Sequence, residues 1–369
     1  MSTLGMNGFE SYTFTSGTAA ARSAAAVLMD KITTLGGTLT YTTTNIPASG
    51  TPSLVALVVG ITDICSMPWW NDAGGSRNEP AGTYWIHAQV RPGGNSASND
   101  ATHWGTSSND VEFVSFSTED STANLTLRIG GSVVATSSFS MPTTSFTRIM
   151  VEFAFTGGTP TNGDTIKVYK DGIITGGSEI ISYTLTAGDQ TTLSGIGSGK
   201  ANGFYGRGSN TLYLDDMWAM DTSVATGATD PAQFKDGGIR GQVATGNGSP
   251  TDWTLSTGTD SYAVIDDVSG TDNMSASAVG TEVQVTKDAI QFQAESLAAV
   301  KIYANVTQSD TSAGTRIGIG QTNGILGNQK DSLVPGGGYV TNVYDESSSG
   351  TAWTAIAYDS YDVKIITVA

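Results

Sequence analysis

The side chains best suited to chemistry in this sequence lie between residues 67 and 104, where PWWNDAGGSRNEPAG and RPGGNSASNDATHW flank an alternating segment at 83–90. Trp69, Trp70 and Trp104 offer indole faces, Asn71 and Asp72 offer amide and carboxylate groups, and Arg77 offers a fork of donors. An indole stacked on a pyranose ring, with amides and carboxylates on its hydroxyls, is the chemistry of sugar recognition, and loops on a rigid scaffold are where such groups collect. The same tryptophans serve equally well to pack two long polar loops onto a sandwich, and the sequence leaves both readings open.

Catalytic patterns are missing where they would be easiest to see. Jelly-roll glucanases carry closely spaced carboxylates on one strand, because an acid and a nucleophile must flank one glycosidic bond. Glu112, Glu119 and Asp120 do not supply that spacing. There is no Gly-x-Ser-x-Gly elbow, and His87 and His103 are the only imidazoles that could serve as a base. GIGSGK at 195–200 resembles half a phosphate loop, but Ser194 and Ala201 stand where a Gly and a Ser or Thr are needed, so it reads as a glycine-rich turn. These absences predict a protein that is not an enzyme. The rival is a polysaccharide depolymerase with carboxylates drawn from separate strands, for which Asp72, Glu79, Asp100 and Asp110 are the candidates.

Composition sets the frame for those groups. The chain has 369 residues, with 46 glycines and only 14% charged residues, which points to a turn-rich all-β protein of two or three domains. Its net charge of −17 and the lack of any Lys/Arg cluster exclude a nucleic-acid backbone as partner. One cysteine, Cys65, rules out an internal disulfide framework, and its place after an apolar run suits a buried thiol. The first thirty residues lack a basic leader, and their apolar stretch is broken by Arg22, so neither export nor membrane insertion is expected.

The elements that must hold the loops follow from period-two patterns. DTIKVYKDG at 164–172 reads as one arm of a hairpin, and LYLDDMWAMD at 212–221 as a half-buried strand. Further strands are predicted at 8–12, 54–64, 83–90, 111–117, 125–129, 133–138, 147–155 and 182–185. A second group falls at 239–244, 261–265, 281–286, 299–306, 315–320, 339–344 and 362–368. The alanine-rich stretch 18–32, capped by Thr18, predicts one short N-terminal helix. The small polar segment SVATGATDP at 223–231 reads as a linker, giving domains at 1–226 and 227–369.

Val-Tyr-Lys-Asp-Gly at 168–172, followed by Tyr-Leu-Asp-Asp-Met-Trp at 213–218, resembles the closing strands of a LamG or concanavalin A-like lectin jelly roll, in the version carried on bacteriophage particles. Trp253 in WTLSTG and Trp353 in GTAWT resemble a second β-sandwich module of phage structural proteins. The resemblance implies an all-β fold of two jelly-roll-like β-sandwich domains. It also implies a virion structural protein, made in the host cytoplasm, that decorates the capsid or tail as a homo-oligomer among other virion proteins and contacts host surface glycan. A host-receptor-binding tail protein is the alternative. LamG-like sandwiches often hold calcium at a loop edge, which makes Asp164, Asp215 and Asp216 the candidate ligands, although no cofactor is required. Adjacent strand residues point to opposite faces, so Asp215 and Asp216 can act together only across a bulge.

Overall fold

The computed structural model describes residues 2–7, 33–36, 40–42, 56–59, 64–66, 82–93, 102–108, 111–119, 124–156, 161–171, 178–194, 202–206, 212–221, 244–265, 272–288, 300–306, 314–321, 324–325, 330–332, 338–344 and 353–368. The helix expected at 18–32, the first strand expected at 8–12 and the glycine-rich turn at 195–200 lie outside them.

The fold is all-β, with its sheets arranged as sandwiches. Numbered along the chain, the first sheet runs in the order β13 (Glu179–Thr184), β12 (Thr165–Lys170), β11 (Thr147–Phe155), β6 (Gly82–Pro92), β15 (Leu212–Asp221), β4 (Ala56–Val59), β3 (Thr40–Thr42). An eighth strand, β1 (Ser2–Asn7), pairs with the far half of β15. The second sheet runs β10 (Ser132–Ser140), β9 (Asn124–Ile129), β8 (Val111–Glu119), β7 (Thr102–Ser108), β14 (Asn202–Gly206), β5 (Ile64–Ser66), β2 (Thr33–Gly36).

Alternation sorts the two faces of the first sheet. Ala88, Val90, Ile149, Val151, Phe153, Ile166, Val168, Ile181 and Leu214 are buried on one face, and the second sheet buries Leu125, Leu127 and Ile129. These side chains form the apolar layer of the sandwich, where transfer from water supplies most of the stabilisation. At the open side Lys170 places its ammonium 4.7 Å from the Phe139 ring centroid, linking β12 to β10 across the layers. The other face of the first sheet is polar and aromatic, with Trp85, His87 and Gln89 of β6 buried on it.

A third sheet follows in sequence: β16 (Ala244–Thr251), β19 (Glu282–Lys287), β25 (Asp362–Val368), β21 (Gly314–Gln321), β22 (Gly324–Ile325), with β23 (Lys330–Ser332) beside β21. Two short pairs accompany it, β17 (Thr254–Leu255) with β18 (Met274–Ser275), and β20 (Val300–Val306) with β24 (Gly338–Tyr344). Its core gathers Val283, Ile302, Trp353, Tyr361 and Ile365, with Trp253 packed against them. Trp353 meets the Tyr361 ring edge-on, with centroids 5.6 Å apart.

Three short helices were not expected. α1 (Ala187–Ser194) is started by Thr186, whose hydroxyl accepts from Asp189 N–H while its own N–H and O–H donate to the Asp189 carboxylate, a reciprocal cap. α2 (Ser261–Ile265) replaces a predicted strand: Ser261 and Val264 are buried and Ala263 is exposed, which is helical spacing and not alternation. α3 (Ala355–Asp359) is capped by the Thr354 hydroxyl, which accepts from Ala357 N–H.

The run at 54–64 also differs from its prediction. It does not make one core strand. β4 ends at Val59, and β5 begins at Ile64 in the opposite sheet, so the apolar stretch serves both layers of the sandwich. The strand expected at 239–244 begins only at Ala244, the residues before it lying outside the described set.

Glycines let β16 lie close on β19. A methyl group on Gly248 would come within 2.5 Å of Gln284 Cγ and 2.9 Å of the Gln284 carbonyl carbon, and the backbone cannot give way as a side-chain tip can. Gly248→Ala is therefore expected to lower stability by about 1–3 kcal/mol through overpacking. An unchanged urea midpoint would show that β16 is not held against β19 in this way.

Candidate functional site

The polar face of the first sheet is built from cross-strand rows, because directly paired residues share a face. On β6 the alternating Trp85, His87, Gln89 and Arg91 point away from the apolar layer. Glu152 on β11 stands opposite Trp85, Met150 opposite His87 and Arg148 opposite Gln89. On the other side Asp215 of β15 stands opposite Gln89, and Tyr213 opposite Arg91. Arg91 lies 4.9 Å from the Tyr213 ring centroid and donates through Nε to the Thr143 carbonyl at 2.8 Å.

A bulge breaks these rows at Asp215–Asp216. Asp215 pairs with Gln89, but the next pair on that side is Trp218 with His87, so two residues of β15 face one of β6. Asp216 takes φ 46°, a left-handed conformation that costs a residue bearing a Cβ about 1–2 kcal/mol. Hydrogen bonds hold it there. Asp216 N–H donates to Asp215 Oδ1 at 2.8 Å, His87 Nδ1 donates to the Asp216 carbonyl at 2.9 Å, and Gln89 Nε2 donates to the Asp216 carboxylate. All four side chains are buried, the two aspartates to 0% exposure. Burial drives the His87 pKa down from 6.5 to about 4, with a further push from the Arg148 charge, while the bond to Asp216 O opposes the fall. His87 is thus neutral at physiological pH and serves to fasten the bulge.

The neighbouring row is more open. Tyr169 on β12 donates its hydroxyl to Glu152 Oε2 at 3.2 Å, and burial together with the Glu152 charge pushes the phenol pKa up. Lys167, opposite Glu152, lies 3.9 Å from Glu179, and both side chains are partly exposed. Trp85 is buried, and its indole Nε1–H has no hydrogen-bond acceptor. An unpaired buried donor costs about 1–3 kcal/mol, so this N–H is a standing demand for an oxygen atom.

The residues singled out in the sequence are distributed unevenly over this structure. Trp69, Trp70, Asn71, Asp72 and Arg77 lie outside the described residues. Trp104 is not on a loop: it sits within β7, paired with Phe116 of β8 and Phe204 of β14. Asp215 and Asp216 meet across the bulge that their joint action requires. Asp164 does not join them. Its carboxylate takes four donors from its own loop, the N–H and O–H groups of Thr156 and Thr161, at 2.7–3.1 Å. These bonds make it a clamp on its own loop, and among the described residues no three His, Cys, Asp or Glu side chains are grouped as a metal site. Gln89, Glu152 and Tyr169 were missed, although the alternation of Trp85, His87, Gln89 and Arg91 placed polar groups on one face of a long strand.

No family model matches the chain, and no curated protein does. Among solved structures, domain 4 of AbnA, an extracellular arabinanase from Geobacillus stearothermophilus in complex with arabinotriose, is 17% identical over 56% of this chain and 86% of its own, with a TM-score of 0.34. A carbohydrate esterase from Shiga toxin-encoding bacteriophage phi24B is 14% identical over 60% of this chain and 99% of its own, with a TM-score of 0.33. Lectin I-B4 from Griffonia simplicifolia is 9% identical over 50% and 93%, with a TM-score of 0.31. Among the described residues no helix is long and apolar enough to cross a membrane.

The buried imidazole has a measurable consequence. Because its folded pKa is lowered, the folded chain binds fewer protons than the unfolded one between about pH 4 and 6.5, and stability falls as pH drops through that window. In a His103→Gln background, which leaves His87 as the sole histidine, unfolding free energy should fall by about 2 kcal/mol from pH 7 to pH 5. Equal urea midpoints at the two pH values would contradict a buried, neutral His87.

Proposed function

We propose that this chain is a non-enzymatic structural protein of a bacteriophage particle, displayed as a homo-oligomer among other virion proteins, and that the polar face of its first sheet binds host surface glycan. The phage assignment rests on the resemblance carried by residues 168–172 and 213–218. The binding assignment rests on one observation, the buried Trp85 N–H without an acceptor in the row that also holds Glu152, whose carboxylate Tyr169 of the adjacent row reaches. A sugar hydroxyl supplies what that row lacks, because it accepts from the indole N–H and donates to the carboxylate in the same contact. The row grades from buried Trp85 to the partly exposed Lys167, so a ligand would have to reach the indole N–H from the β12 end of the row. The polar groups nearer the bulge bond to one another and stiffen the floor of the site, and rigid floors bind with less ordering cost.

The reading is tested with the fluorescently tagged chain on an array of bacterial surface polysaccharides. Trp85→Phe removes the N–H and keeps an aromatic ring. It should weaken binding about tenfold, the worth of one hydrogen bond to a buried donor. Equal binding by wild type and Trp85→Phe, or no retention on any glycan, would overturn the assignment of this face. Release of reducing ends from a bound polysaccharide would make the chain a depolymerase instead.

A further inference from the structure

The third sheet carries a second polar face, on the opposite side from the Trp353 core, and two buried side chains there are poorly satisfied. Gln284 of β19 and Lys364 of β25 are directly paired, and both are almost fully buried. Lys364 Nζ finds one polar partner, Glu282 Oε2, at 3.5 Å. Gln284 donates its amide N–H to the Asp362 carboxylate, while its Oε1 has no hydrogen-bond partner. A buried ammonium held by one long contact, beside a buried carbonyl with none, is an arrangement that noncovalent chemistry leaves costly.

The surroundings hold these two side chains together. Gly318 of β21 stands opposite Lys364 on its far side, and Gly248 of β16 crowds Gln284 from the other. The row therefore reads glycine, glutamine, lysine, glycine, with no side chain on either flank. Directly paired residues have Cβ atoms about 5 Å apart, well within the combined reach of a lysine and a glutamine. A carboxyl group stands beside each reacting end, Glu282 at the amine and Asp362 at the carboxamide.

We propose that Lys364 and Gln284 condense to an intramolecular isopeptide bond that ties β19 to β25. The Glu282 carboxylate takes a proton from the Lys364 ammonium, and the amine lone pair attacks Gln284 Cδ. The Nζ–Cδ bond forms, the Cδ–Nε2 bond breaks, and Nε2 leaves as ammonia, carrying protons that the carboxyl groups return. Ammonium plus carboxamide thus become a secondary amide and an ammonium ion, with no oxidant, cofactor or second protein. Desolvation and fixed proximity are what make such a step accessible, since the amine and the carbonyl are held as one molecule away from competing water. The product removes a buried charge and closes a covalent loop between residues 284 and 364, so that β25 cannot peel away from the sheet. This inference is independent of glycan binding by the first sheet.

Intact-mass spectrometry of the purified full chain tests it. The expected mass is lower than the sequence mass by one ammonia, with tandem spectra showing the peptide bearing Gln284 joined to the one bearing Lys364, and trypsin failing to cut after Lys364. Lys364→Arg should abolish the deficit and give the full mass of the variant sequence, whereas an ammonia loss from succinimide formation elsewhere would persist in that variant and overturn the proposal. Glu282→Gln should raise the uncrosslinked fraction at least tenfold in freshly made protein. Should Lys364→Arg fail to fold, the tandem spectrum of the wild type decides alone: a free Lys364 side chain in the folded protein sinks the proposal.

Discussion

The bulge at Asp215–Asp216 is the constraint on which the first sandwich turns. β15 is a long strand next to β6, and its outer neighbour changes partway along: Leu214 pairs with Leu57 of β4, whereas Met217 pairs with Asn7 of β1. The one extra residue falls at that change of partner. Without the bulge, the alternation of β15 would continue in phase through both halves. With it, Asp215 and Asp216 both come to lie buried in the sheet, and Gln89 and His87 of β6 satisfy the carboxylate and carbonyl that the turn exposes. A glycine would take φ 46° at no steric cost. The aspartate is retained where its side chain supplies an acceptor.

This arrangement explains why the polar face divides into two parts. Near the bulge, donors and acceptors are matched internally and buried, a network that specifies one register of β15 on β6. One row further, the matching stops: Glu152 takes Tyr169, but the Trp85 indole is left without an acceptor. The matched part fixes the strand register, and the unmatched part is where we propose that a ligand binds. His87, one of two histidines in the chain, belongs to the first part, which is why its burial and lowered pKa speak for stability and not for acid–base catalysis.

Much of this was legible in the sequence wherever alternation was long. The strands at 147–155, 315–320 and 362–368 match the structure to within a residue, because each has a clean apolar face bounded by turns. The possibility of a bulge at the paired aspartates was also readable, since period two forbids their joint use otherwise. Short elements were lost. Ser261–Ile265 has too few residues to separate a helix from a strand by periodicity, and Ala187–Ser194, also short, was not expected either. The site expected on the loops falls largely outside the described residues, where Trp69, Trp70, Asn71, Asp72 and Arg77 lie. Tryptophans near glycine-rich stretches drew attention to loops, whereas Trp104 is a strand residue, and the groups that fail to satisfy one another, Trp85 in one sheet and Gln284 with Lys364 in another, emerge only when rows are set side by side.

The polar face of the first sheet, held in shape by the bulge beside it, is the proposed binding surface. Hydrogen–deuterium exchange of the full chain, with and without a bacterial surface oligosaccharide, tests this most directly. The ligand should slow exchange in β11 and β12, at residues 147–155 and 165–170, and leave the third sheet unchanged. Protection confined to 282–287 and 362–368, or absent from every strand of the first sheet while the sugar is bound, would contradict it.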